Sequence, residues 1–145
     1  MTSLSETLNS VMTMRKNFGA PESMKLKEPV KVADLMNQNI TIDEVIVSNK
    51  VKKDENGNPI MTKDGQKEIY QPYVYVAFDE KFYFSTASQL MLEQFEALSK
   101  TELRKYEKSE VPVKGVQGMK AKVSSEKVKY RDGKMYDQAV LVDPE

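Results

Sequence analysis

The sequence contains no cysteine, no histidine and no tryptophan. Without thiols there are no disulfides, thiolate ligands or sulfur nucleophiles. Without imidazole the chain lacks the side chain that most often serves as general base or transition-metal ligand near neutral pH. Carboxylates, lysines, tyrosines and serines remain, so catalysis keeps some routes, but a binding protein that is not an enzyme and needs no cofactor is the simpler expectation. No apolar run approaches the roughly 20 residues that span a bilayer. The opening Met1-Thr2-Ser3-Leu4-Ser5-Glu6 lacks the basic start and apolar stretch of a signal peptide. A cytoplasmic protein without membrane contact is therefore expected. An excess of either charge is also missing, since 22 Lys and Arg offset 22 Asp and Glu. That argues against a polycationic nucleic-acid coat and leaves room for a local basic stripe.

The pattern of the 145 residues fits one domain with an appendage. Leu4, Leu8, Val11 and Met12 recur at helical spacing behind a Ser3 cap, and Asn17-Phe18-Gly19 ends that helix. Gly19, Pro21 and Pro29 punctuate the next stretch, giving it linker composition and predicting a loosely attached first helix. The division expected is residues 1–29 as helix and linker and 30–145 as a binding domain. Within the latter, 30–37 has the spacing of a short helix. Ile40 and Ile42 alternate, and Val45 and Val47 resume one residue out of phase across Asp43-Glu44, the mark of a β-bulge. Residues 48–67 are polar, with turn signals at Asn56-Gly57 and Asp64-Gly65, and read as a long hairpin excursion. Tyr70 to Phe78 alternates strongly, and Phe82-Tyr83-Phe84 continues it after a turn. Residues 85–99 switch to helical period, with Met91, Phe95 and Leu98 on one stripe and Thr86 and Gln89 at capping-box spacing. A further helical turn is expected over 101–108. Two strands follow, over 119–130 and 135–142, joined by an Asp132-Gly133 turn.

Three strands, a helix and two strands is the order of the OB-fold, a five-stranded Greek-key barrel, and a bent first strand suits closure of so small a barrel. The expected fold class is thus mainly β with some α, an OB-like five-stranded barrel ordered β-β-β-α-β-β with a helical N-terminal appendage. An unrelated α+β sandwich shares that order.

Leu35-Met36-Asn37-Gln38-Asn39-Ile40-Thr41-Ile42, Tyr73-Val74-Tyr75-Val76-Ala77-Phe78 and Phe84-Ser85-Thr86-Ala87-Ser88 before a helix resemble small single-stranded-DNA-binding proteins of phages and mobile elements from Gram-positive bacteria. The likeness runs over about residues 35–142 and rests on strand phase and aromatic placement. It implies an OB-fold and sequence-tolerant binding of single strands in DNA replication or recombination. The chain departs from that family in lacking Trp and a long acidic tail. Recruitment of replication or recombination proteins through the tail would rest on Asp143 and Glu145 alone.

Such binding needs aromatic faces for stacking and cations along the phosphates. If Val74, Val76 and Phe78 face the core, Tyr73 and Tyr75 face outward, and so does Tyr83 between Phe82 and Phe84. The competing reading half-buries these tyrosines as good strand formers beneath the long loop or the first helix. Over 111–134 seven basic residues face two acidic ones. Lys120, Lys122, Lys127 and Lys129 are expected on the solvent side of one strand, followed by Arg131, and Lys50, Lys52 and Lys53 form a second group. The alternative is an edge strand made soluble by lysine. The preference for Lys over Arg suits point contacts with phosphate better than bidentate base reading. The first helix is a candidate for homo-oligomer contact, although docking on its own barrel is the expectation. Single-stranded DNA binding, a protein-interaction module and, more weakly, an enzyme using Lys or carboxylates are the three functional readings.

Overall fold

The computed structural model describes residues 3–144. Its elements are α1 (Leu4–Lys16), β1 (Glu28–Pro29), β2 (Asn39–Val51), β3 (Tyr70–Phe78), β4 (Phe82–Thr86), α2 (Gln89–Ser99), β5 (Ser109–Pro112), β6 (Lys120–Lys129) and β7 (Met135–Val142). One long strand organises the rest. In β2, Ile42 pairs with Phe78 and Glu44 with Ala77, so Asp43 is the extra residue of a bulge and Ile42 and Val45 can both be buried. The bend lets β2 serve two partners along one edge. Its start pairs with β6 and its later part with β5, while β3 takes the opposite edge from Ile42 to Val51.

The result is a mainly β molecule, a curled seven-stranded sheet ordered β1-β4-β3-β2-β6-β7 with β5 also on β2. All pairs are antiparallel except β1 with β4. The concave face holds the main core. Val45, Val47, Val74, Val76, Phe84 and Val123 meet Met91, Leu92 and Phe95 of α2, and Leu103, Val113 and Val116 from the segments flanking β5. Each large apolar side chain buried there contributes about 1.5–3 kcal/mol. Buried Asn49 ties the 103–109 segment to β2, donating to the Leu103 carbonyl and the Ser109 hydroxyl and accepting from the Lys105 N–H.

β4 and β7 are not paired with each other. The free edge of β7 is taken instead by side chains at and near α2. Gln94 accepts from Leu141 N–H at 2.9 Å and donates to its carbonyl at 2.6 Å, as a neighbouring peptide group would, and Ser88 donates to the Ala139 carbonyl. An edge strand left open would invite pairing with another chain.

Several expectations change. Residues 17–29 do not form a loose linker: Asn17, Ala20 and Met24 are buried on the convex face of the sheet, and Glu28–Pro29 add to the edge of β4. Conversely, α1 does not dock on its own domain, for none of its residues is buried. The helix expected over 30–37 is a 3-10 turn at Val32–Leu35. The 101–108 stretch is irregular and leads into β5, which the sequence reading missed. The cap of α2 is Ser88, which accepts from Met91 N–H, and Leu98 lies exposed. No helix among the described residues is long and apolar enough to cross a membrane.

Candidate nucleic-acid interface

Alternation places Tyr73, Tyr75 and Tyr83 on the convex face, as expected, but the face is covered. Tyr75 and Tyr83 are both only 7% exposed, stacked with centroids 6.3 Å apart. Ala20 and Met24 pack on them. The Tyr83 hydroxyl donates to Asn17 Oδ1 at 2.8 Å, while Asn17 Nδ2 donates to the Lys25 and Lys27 carbonyls. The Tyr75 hydroxyl donates to the Gly19 carbonyl. Burial, then the neighbouring Tyr75 and Glu28, holds the Tyr83 phenol above its ordinary value. Neither ring offers a free face for a base, so the expectation of stacking at Tyr75 and Tyr83 is corrected. Tyr73 keeps partial exposure.

Lys50 is drawn into the same cover. Its ammonium donates to the Gly19 carbonyl at 2.7 Å and to the Tyr75 hydroxyl at 2.8 Å, and it sits 5.1 Å from the Tyr75 ring centroid and 5.7 Å from that of Tyr73. It fastens the N-terminal segment to the sheet. Lys52 and Lys53 are exposed where β2 passes into the 52–69 excursion, whose four lysines are matched by four acids.

The β6 lysines are separated by their parity. β6 is one uninterrupted ten-residue strand with a constant register against β7, from Lys122↔Val142 to Lys129↔Met135. Side chains alternate along it. Lys120 and Lys122 therefore share the face opposite to buried Ala121 and Val123, whereas Lys127 and Lys129 continue the Ala121–Val123 phase. The single lysine face expected from sequence is two faces. Only beyond the packed part of the strand, where the β6–β7 hairpin projects, does solvent reach both.

At that projecting end the structure assembles a site the sequence reading did not single out. Tyr130 and Tyr136 lie diagonally across the hairpin with centroids 4.6 Å apart, and they remain 44% and 40% exposed. The Asp132-Gly133 turn closes through Tyr130 N–H to the Lys134 carbonyl and Gly133 N–H to the Tyr130 carbonyl. Gly133 adopts φ 82°, a conformation favoured by glycine. Asp132 accepts from the Tyr136 hydroxyl at 2.7 Å and from Lys134 N–H, which lowers its carboxyl below the usual range, and the same phenolic bond raises Tyr136. On the other side Gln138 donates to the Tyr130 hydroxyl and accepts from Leu90 N–H, fixing ring and hairpin against α2. Between them runs an open groove of about 620 Å³, lined by Tyr130, Gln138, Lys129, Arg131, Leu90 and Glu93 among others. Lys127, Lys129, Arg131 and Lys134 are all exposed on this hairpin. Lys129 and Arg131 line the groove, whereas Lys127 projects from the strand face opposite to Tyr130, Tyr136 and Gln138. The Asp-Gly turn fixes the hairpin register and would have put both tyrosines on one face; that was the unused signal.

Among the described residues no group of three or more carboxylates gathers as a metal site. Comparison with protein-family models, curated proteins and solved structures finds no match.

Proposed function

We propose that this chain binds single-stranded DNA without reading its sequence, through the tyrosine pair and surrounding cations at the β6–β7 hairpin of an OB-like barrel. The observation that carries the reading is the exposed Tyr130–Tyr136 pair, whose Tyr130 lines an open groove together with Lys129 and Arg131. A base has a π-face to lay on a tyrosine whatever its identity, and stacking contributes about 1–3 kcal/mol per base. The cations, mostly lysine, supply point contacts for phosphate. The OB-like description is supported by the β2–β3–β4 meander, α2 after it, and β6 returning to the start of β2. The departure is the open seam between β4 and β7. The resemblance in strand phase and aromatic placement points to strand protection during replication or recombination of a phage or mobile element.

The charge surplus is small. Over 126–137 four cations face Glu126, Asp132 and Asp137, and Lys120 and Lys122 add to them along the strand. With about three phosphates neutralised, log K should fall with log salt at a slope of roughly −2. Fluorescence anisotropy of labelled oligo-dT across a salt series tests this. Binding that weakens along such a slope is expected; no binding in low salt would overturn the reading. That second outcome would favour a protein-interaction module, for which the uncovered apolar side chains of α1 are the specific observation.

A further inference from the structure

The apolar side of α1 is the largest group of exposed hydrophobic side chains in the described chain, and its pattern is symmetric. Leu4, Leu8 and Val11 form a stripe flanked by Met12 and Met14, with Phe18 just beyond the helix end. Leu4 is 90% exposed and Phe18 85%. All six of these side chains remain exposed, yet a 13-residue helix is marginal in water unless packing supports it. The capping box at Ser3 and Glu6 fixes the start of the helix without covering its side.

Except for Met12, which mirrors Ser10, the apolar spacing reads the same from both ends about Val11. Leu4 and Phe18 stand equally far from it, Leu8 mirrors Met14, and Val11 mirrors itself. Charge is mirrored with opposite sign: Glu6 lies in the first turn and Arg15 and Lys16 in the last. Glu6 and Lys16 are equidistant from Val11. Lys16 also pairs with Glu28 of its own domain at 2.9 Å, whereas Arg15 sits within the apolar stripe with no ion pair among the described residues. A surface complementary to itself after a half-turn fits a two-fold, isologous contact. A parallel pairing would instead bring like-charged ends and parallel helix dipoles together.

We infer that α1 is the contact for a second copy of this chain, paired antiparallel with Val11 on the two-fold axis. Leu4 then meets the second copy's Phe18, Leu8 its Met14, and the basic end of each helix lies over the acidic start of the other. Two helices about 20 Å long cover on the order of 1,000 Å² together, the low end for specific association, so the dimer is weak and concentration-dependent.

The native absence of cysteine makes the register directly testable. Sedimentation velocity of the full chain should show the dimer fraction rising with concentration, and Leu8→Glu should leave a monomer with an unchanged far-ultraviolet β signal. Under mild oxidation at a concentration where the dimer forms, Val11→Cys should cross-link to itself. Leu4→Cys and Phe18→Cys should cross-link efficiently only when mixed with one another. A chain that stays monomeric at all concentrations would overturn the inference. So would Leu4→Cys cross-linking to itself as readily as Val11→Cys, the signature of a parallel pair.

Discussion

Tyr75 and Tyr83 stack at 6.3 Å beneath the N-terminal segment, whereas Tyr130 and Tyr136 meet at 4.6 Å on a projecting hairpin and keep close to half their surface in solvent. Both pairs arise from strand alternation, and both bond through their hydroxyls. The difference is what lies on top. The first pair received a dedicated cover in which Asn17, Ala20, Met24 and Lys50 use up the aromatic faces and phenolic oxygens together. The second received only Asp132 and Gln138 at its edges. Strand phase chooses the side of the sheet, and a distant segment decides whether that side is surface.

The sharpest way to break the comparison is to damage the cover. Met24 is fully buried, so Met24→Ala should cost about 2–5 kcal/mol in urea unfolding, and a loss below 1 kcal/mol would mean that the segment is not packed as described. Asn17→Ala removes the partner of the Tyr83 hydroxyl and both carbonyl bonds, and leaves buried groups unmet. Its expected cost is about 1–3 kcal/mol by the same measurement. On the open pair the equivalent change should scarcely register. Tyr136→Phe deletes an exposed bond to Asp132 and should stay within about 0.5 kcal/mol of the parent.

Alkali gives the gentlest contrast. The folded state holds the Tyr83 proton more tightly than the unfolded chain does, because burial, Tyr75 and Glu28 all raise its pKa. That contribution to stability is complete below the ordinary phenol value of about 10 and disappears as pH climbs through the folded value. Ultraviolet absorbance of the phenolates should therefore show late ionisation at Tyr83 and Tyr136, and Tyr83→Phe should remove the first of these. A titration unchanged by Tyr83→Phe would contradict the covered environment.

Much of the sheet was legible because its signals are local. The slip across Asp43-Glu44 marked the bulge, Tyr70–Phe78 alternates throughout β3, and the Asp132-Gly133 turn placed Met135–Val142 opposite β6. Illegible features depended on distant contacts. Gly19 and Pro21 do give the 18–29 stretch the composition of a linker, but its place is set by Met24 and Asn17 finding an aromatic face more than fifty residues away. The four-residue β5 pairs only with β2 and carries little pattern of its own. The β6 lysines were misplaced because two short alternating runs, 119–123 and 127–130, were read as sharing a phase, whereas one continuous strand puts even and odd residues on opposite faces. The Tyr130–Tyr136 pair was within reach, since the turn and the parity were both in the sequence.

Paired substitutions in an oligonucleotide titration test the central claim most directly. With labelled oligo-dT at low salt, Tyr130→Ala should weaken binding roughly 5- to 150-fold, the equivalent of about 1–3 kcal/mol of stacking, while Tyr75→Leu, shown to be folded by circular dichroism, leaves the affinity where it was. The opposite result, affinity lost with folded Tyr75→Leu and kept with Tyr130→Ala, would place the strand on the covered face and contradict the account.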